Sequence, residues 1–449
     1  MRSILITAVT AVASVVLVTQ VAAADPVQEQ LRLMEQRMSE MEDRLQATSD
    51  ELRTARETVD QQQGLLSDAG LIDEGNEGLR SGVGSFFDLV DVSGVAAASF
   101  NHRLHEHNNR GNVANVAGAG GNGGYLKYPN SNTFQVDQIW MTVDKQPTDE
   151  SRGGFHFEYV TGESAQAQNF SLLANDDEPF LYSGYVSYLA PLGNGVRVDL
   201  GKLATPLGAE VIQTNKNFFI TQGAVFALQP VTHTGVSATT QVTDEVAVVL
   251  GVVNDVYSDT ATSTDADKAY YGQVQFGGDG FGLNVGGIIG NDGGACNGPT
   301  TSRTSACRTS VLDVVLTADP TDDLSLWANF DWKHTNGSDT STGVVENLHG
   351  DAYGIAVAGR LGITETMGVA SRLEYVQTED SLNGTQRNNE LVTLTGTLDK
   401  TLAEGLVTRV ELRWDTVRDD NNNGAGFQAS NGGLNDDQLV GLWQLYYEF

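Results

Sequence analysis

Short and long links alternate along most of this chain, and this alternation constrains the fold more than any other feature. Apolar and polar side chains alternate at period two in sixteen segments, which predicts β-strands. The seven short links carry the Gly, Pro, Asn and Asp of tight turns, and the eight long links hold roughly ten to twenty-seven residues. The long links therefore share one end of the strands, as in an up-and-down β-barrel. The segments are 92–105, 132–146, 153–162, 181–191, 195–204, 232–243, 245–256, 268–277, 280–290, 309–318, 323–335, 351–361, 366–378, 389–400, 405–418 and 438–449.

The two faces of these segments differ in chemistry. In segment 405–418 one face is mainly apolar, and the other alternates charges from Arg409 to Asp415. A barrel of about sixteen strands encloses a lumen too wide for side chains to fill. The charged face must then line water and the apolar face must meet lipid, so residues 92–449 are predicted to form an all-β transmembrane antiparallel barrel. Its interface aromatics would include Trp332, Trp414, Tyr188, Tyr447 and Phe449.

The last segment ends the chain on an apolar face. Trp443, Leu445, Tyr447 and Phe449 share that face, and no polar tail follows. An unpaired strand of this kind would invite pairing with other chains. We therefore expect the last strand to close the barrel against the first, residues 92–105.

The residues before the barrel fall into three parts. Residues 1–24 have a charged start, an apolar run and small residues before Asp25, which predicts a secretory signal peptide; the run is short for a membrane anchor. Residues 25–68 carry a heptad pattern, which predicts an α-helical coiled coil, with a parallel trimer as the sharper interpretation and a lone packed helix as the alternative. Residues 69–91 form a linker.

Composition limits the partners. The chain has 58 acidic and 26 basic residues and a net charge of −32. Nucleic acid is therefore not expected as a partner, because phosphate binding needs a basic surface.

Cofactors and metals are not expected either. Cys296 and Cys307 most simply form a disulfide in an oxidising compartment, and a metal pair is less favoured because no His accompanies them. Two further groups could suggest a metal, but we interpret both as solvent-exposed loop residues: His102, His105 and His107 with Glu106, and the acidic stretch from Asp419 to Ser430, which lacks the final Glu of a calcium loop.

The long link 205–231 differs from the other long links because it is apolar. Side chains such as Ile212, Phe219 and Leu228 are unsuited to a solvated loop. We expect this link to fold inward and narrow the lumen, or alternatively to pack between protomers. In the first case acidic and polar link residues would face basic wall residues across the pore. The proposed constriction residues are Glu210, Lys216 and Asn217 on the link, and Arg360, Arg372, Arg409 and Arg413 on the wall.

The chain resembles Gram-negative outer-membrane porins. The stretch from Gly201 to Glu210, with residues 217–219 and 230–235, is similar to the OmpL-like β-barrel porin group. The resemblance implies a place in the outer membrane, with lipid and lipopolysaccharide around the barrel and the coiled coil in the periplasm. It also implies a homotrimer, and recognition of the terminal aromatic Phe449 by the barrel-insertion machinery.

These features together predict a porin that lets small hydrophilic solutes and ions diffuse passively, with a mild preference for cations because of the acidic surplus. No enzymatic activity is expected. Two alternatives are an outer-membrane barrel hydrolase, which would use residues such as His102, His105 and His233, and a structural or adhesive barrel that does not conduct.

Overall fold

The computed structural model describes residues 90–104, 113–114, 132–167, 180–257, 268–291, 306–339, 346–382, 385–419, 426–428 and 434–449. The predicted signal peptide, the coiled coil, nearly all of the linker, and Cys296 of the predicted disulfide lie outside these residues, so they stay predictions. No helix in the described ranges is long and apolar enough to cross a membrane.

The described residues are almost entirely β-structure. One short helix, α1 (Glu163–Ala167), follows the fourth strand, and 3-10 turns occur at Thr214–Lys216 and Val225–Leu228. The strands are β1 (Asp91–Arg103), β2 (Val113–Ala114), β3 (Thr133–Lys145), β4 (Gly153–Thr161), β5 (Phe180–Ala190), β6 (Val196–Ala204), β7 (Thr232–Thr243), β8 (Val246–Val253), β9 (Ala269–Gly278), β10 (Phe281–Asn291), β11 (Ala306–Thr321), β12 (Leu324–Asp339), β13 (Glu346–Thr364), β14 (Met367–Leu382), β15 (Thr385–Ala403), β16 (Leu406–Asp419), β17 (Gly426–Gln428), β18 (Leu434–Asn435) and β19 (Asp437–Glu448).

Sixteen of these strands close into one antiparallel barrel, and the three short strands β2, β17 and β18 form a small separate sheet. The ring closes where β19 pairs with β1, from Val95 opposite Glu448 to Arg103 opposite Val440. Phe449 continues this pairing by exchanging two backbone hydrogen bonds with Gly94, of 3.0 and 3.1 Å. The predicted barrel and its closing pair are confirmed.

The two faces of the wall follow the predicted alternation. On β16 the outward side chains Val410 and Leu412 are 50% and 53% exposed, whereas Glu411 and Arg413 between them are fully buried. Exposed apolar and aromatic side chains recur around the ring, and they include all five predicted interface aromatics. The outer surface is therefore the apolar one, as lipid requires.

Several strands are longer than the sequence predicts. Predicted segment 389–400 is Thr385–Ala403 in the structure, and the predicted long link 379–388 is mostly strand, with pairing that continues to Leu382 opposite Thr385. The prediction relied on alternation between apolar and polar residues. That signal fades where both faces of a strand are polar, although the backbone ladder continues.

Candidate functional site

The link 205–231 between β6 and β7, called the inner loop from here on, crosses the inside of the barrel. It bonds to wall strands far apart in the ring: Gln138 on β3 donates to the Ile212 carbonyl at 2.6 Å, and Gln273 on β9 donates to the Pro206 carbonyl at 2.6 Å. On β16, Glu411 accepts from the Ile220 amide at 2.6 Å. Only a segment inside a closed ring reaches strands on several sides of it.

One end of the inner loop is held by apolar packing. Leu207 lies in a buried cluster with Val249, Tyr271 and Ile288 of β8 to β10. A Cβ atom at Gly286 would lie 2.9 Å from Leu207 Cδ2, so the absent side chain makes room for the leucine. This part of the loop is fixed by the hydrophobic effect.

The middle of the inner loop is held by charges, and Arg372 of β14 lies at their centre. Its Nη1 bonds to a carboxylate oxygen of Glu210 and donates to the Thr221 carbonyl at 3.0 Å, while its Nε lies 3.0 Å from Glu374. The guanidinium also lies over the ring of Phe219. Arg372 is fully buried, and the paired carboxylates offset the cost of burying it.

Glu210 anchors the loop to itself as well as to the wall. Its second oxygen accepts the Gly223 amide at 2.7 Å. Burial raises the pKa of the Glu210 carboxyl above its usual range, Arg372 opposes this shift, and the nearby Glu374 adds to it.

A second charged group on β16 binds the same part of the loop. Arg413 donates to the Gln222 carbonyl at 2.6 Å and pairs with Asp415 at 2.8 Å, and Arg409 donates to the Thr214 carbonyl at 3.0 Å. Glu411 accepts the Thr221 amide at 3.1 Å and the Thr221 hydroxyl at 2.6 Å. Acidic and basic wall side chains therefore hydrogen-bond to the backbone of the inner loop.

The sequence comparison decides the family. Residues 90–449, the whole barrel, match the family described as "Putative beta-barrel porin-2, OmpL-like". The chain belongs to this porin family. A comparison with curated proteins gives no match.

Solved structures similar to this porin are outer-membrane barrels. The trimer form of OmpT from Vibrio cholerae is 14% identical with a TM-score of 0.51, and the match covers 80% of this chain and 99% of that one. The outer membrane channel DcaP of Acinetobacter baumannii is 12% identical with a TM-score of 0.51, covering 80% and 97%. An anion-selective porin from Comamonas acidovorans is 12% identical with a TM-score of 0.50, covering 80% and 99%. At these identities the likeness concerns the fold.

Arg360 and Asn217, two further residues of the predicted constriction, make contacts of other kinds. Arg360 pairs with Asp399 of β15 at 2.6 Å. Asn217 bonds within the inner loop, where its amide group accepts from the Val211 amide at 2.9 Å and donates to the Val211 carbonyl at 2.6 Å. Of the seven predicted residues, Glu210, Arg372, Arg409 and Arg413 thus take part in the contacts between the inner loop and the wall.

Lys216 lines a cavity of about 630 Å³ at the short-link end of the barrel, called the vestibule from here on. In porins the short links face the periplasm. The vestibule is mainly acidic: its lining includes the carboxylates of Asp144, Glu158, Glu404 and Glu448 but only one lysine, Lys216, and one histidine, His156.

Sequence reasoning named Glu210 as facing the wall arginines, but it did not name the acidic partners on the strands themselves. Glu374 follows Arg372 by two positions and Asp415 follows Arg413 by two positions, so each pair shares one face of its strand. That spacing is the signal that could have found them. The histidines of the hydrolase alternative do not meet: alternation places His102 with the outward Phe100, whereas His233 is fully buried against Tyr271 on the inner side, and His105 lies outside the described residues.

Proposed function

We propose that this porin is a water-filled channel for passive diffusion of small hydrophilic solutes and ions, and that the inner loop forms its narrowest part. The observation that carries the proposal is the inner loop itself, which bonds to nearly opposite sides of the lumen wall, at Gln273 of β9 and Glu411 of β16. A segment held across a lumen in this way narrows the path that solutes and ions can take.

We further propose a mild preference for cations, set at the vestibule and not at the buried arginines. Arg372 and Arg413 are fully buried and paired, so they present little field to a passing ion. The vestibule presents more carboxylates than ammonium groups, and Glu404 and Glu448 are exposed there. A surplus of one charge in a confined space enriches ions of the other sign.

A homotrimer is part of the proposal. The porin fold and the trimeric form of the similar Vibrio cholerae protein support it. The coiled coil predicted for residues 25–68 would tether such a trimer by raising the effective concentration of the chains.

Conductance of single channels in planar bilayers tests the proposal. We expect the wild-type chain to conduct and to show a reversal potential of the sign that indicates potassium over chloride in a KCl gradient. Deletion of residues 211–222 should raise the conductance, because it removes the loop segment that is bonded to Arg372, Arg409 and Arg413. The matched control is a deletion of equal length, residues 116–127, in the predicted long link 106–131. This deletion should leave the conductance unchanged.

A labelling experiment covers the case in which the deletion does not fold. In a background with serine at Cys296 and Cys307, we expect Lys216→Cys to react with a charged methanethiosulfonate reagent and to lower the conductance. If the wild-type porin does not conduct, the proposal of an open channel is wrong. Unchanged conductance after both the deletion and the labelling would contradict the constriction, and anion preference would contradict the vestibule proposal.

A further inference from the structure

Three metal-ligating side chains meet on the outside of the barrel, far from the inner loop. His334 of β12 and His349 and Asp351 of β13 bring their donor atoms within 4.8 Å of one another. Asp351 lies between the two imidazoles: one carboxylate oxygen is 2.9 Å from His334 Nδ1, and the other is 3.5 Å from His349 Nε2. Together we call these residues the rim cluster.

The pairing of β12 with β13 creates the rim cluster. His334 lies directly opposite Asp351, and the next pair on the same face is Asn336 opposite His349. The preceding pair on that face is Trp332 opposite Tyr353, whose side chains are 38% and 37% exposed on the outer surface. Two residues along a strand span about 7 Å. The rim cluster therefore lies one step beyond an aromatic pair of the outer face, toward the long-link end.

Local contacts hold the rim cluster in place. The Trp332 indole stacks on the His334 ring with centroids 5.8 Å apart and planes at 15°, and the His334 and His349 rings meet edge to face at 5.0 Å. The side chain of His349 is 55% exposed and that of Asp351 is 36% exposed, so solvent reaches the donors. The exposed Glu379 lies opposite Asp351 on β14 and adds negative charge nearby.

The donor set selects a class of ion. Two imidazoles and one carboxylate suit zinc, copper or nickel, whereas calcium and magnesium prefer oxygen ligands alone. Metal–donor bonds of about 2.0–2.1 Å place donors roughly 3.3 Å apart in a tetrahedral site. The three donors lie within 4.8 Å of one another, so reaching that spacing requires the exposed His349 side chain to move toward the other two ligands.

We propose that the rim cluster binds one divalent transition-metal ion of the zinc class on the outer rim of the barrel. Water or another ligand from the surroundings completes the coordination, because three protein ligands leave a position open. The site is separate from the pore: all three side chains face outward, while the inner loop lies within the lumen. The sequence analysis expects no metal. It could not identify this group of residues, because only the pairing of β12 with β13 brings them together.

Calorimetric titration of the full-length, tag-free porin in detergent with zinc chloride tests the proposal. We expect one ion per chain, and at least a tenfold loss of affinity in His349→Gln and in Asp351→Asn. The control combines His102→Gln, His105→Gln and His107→Gln, which removes the other histidine group of the sequence and should leave binding unchanged. Binding should weaken in acid, because protonated imidazole does not ligate a metal.

Tryptophan fluorescence gives a second readout that a purely structural role of the cluster would not produce. Copper(II) bound beside the stacked Trp332 should quench part of the emission, and Trp332→Phe should remove that part. The proposal is overturned if the wild type binds no zinc, if His349→Gln and Asp351→Asn bind as the wild type does, or if the triple histidine control abolishes binding.

Discussion

The wall of this barrel has two sides with different chemistry. Strands β7–β10, the neutral wall, contain no Asp, Glu, Lys or Arg, whereas each of strands β11–β16, the charged wall, contains at least three. Strand β16 with β19 lies half the ring away from β8 and β9. The inner loop packs apolar side chains on both sides, Leu207 on the neutral wall and Val225 and Leu228 on the charged wall. What differs is the polar contacts: on the neutral wall Gln273 donates one neutral hydrogen bond, whereas the charged wall adds ion pairs and charged hydrogen bonds.

A polar lumen can position a loop by two kinds of contact. Apolar contacts exclude water but tolerate small shifts, whereas buried ion pairs specify a particular partner and geometry. The buried arginines nearest the inner loop are paired with carboxylates, whereas vestibule residues such as Glu404 and Glu448 are exposed. The proposed ion preference therefore depends on the vestibule.

The largest effect is expected from the charged wall. Arg372→Ala removes the partner of Glu210 and Glu374 and leaves two buried carboxylates unpaired. We expect the free energy of unfolding to fall by about 3–5 kcal/mol, measured by denaturant titration of the refolded barrel. Arg418→Ala is the control, because that side chain is 73% exposed and lies 3.8 Å from Glu390, and the loss should stay below about 1 kcal/mol. Equal losses in the two variants would contradict the anchoring role.

A smaller effect is expected from the neutral wall. Leu207→Ala removes the leucine that packs against Val249 and Tyr271, and we expect a loss of about 2–3 kcal/mol from lost burial and the residual cavity. The same titration measures it. Leu250→Ala is the matched control, since Leu250 is 59% exposed on the outer face of the same wall. If Leu250→Ala costs as much as Leu207→Ala, packing of the inner loop on the neutral wall is not what stabilises it.

The smallest effect is expected from adding a charge to the neutral wall. Gln275 is half-buried on the inner side of β9, where its amide donates to Gln273 at 2.6 Å. One unit charge acts on an ion at 10 Å in water with about 0.4 kcal/mol, which is roughly a twofold change in local ion concentration. Gln275→Lys should therefore shift the reversal potential toward anions and Gln275→Glu toward cations. Shifts of the same sign in both variants would show that position 275 does not face the conducting path.

Much of this fold can be predicted from local patterns in the sequence. The period-two alternation of residues such as Val410 and Glu411 decides strand and face without any knowledge of neighbours, and turn residues decide where each strand reverses. The apolar character of the inner loop could also be read directly, because a solvated loop does not carry so many large apolar side chains. The strand ends at polar segments such as 379–388 could not be predicted in this way, because apolar and polar residues no longer alternate where both faces of a strand are polar.

The barrel, its sixteen strands, its lipid and water faces and the unusual apolar character of the inner loop can all be predicted from the sequence, because each depends on the order of residue types along the chain. The sequence also predicts that Glu210 faces wall arginines, but it does not say which one. Glu210 meets Arg372, 162 positions away, because of how the ring closes and how the loop turns inward. The same reason applies to His334 and His349, which the register between β12 and β13 brings to one rim.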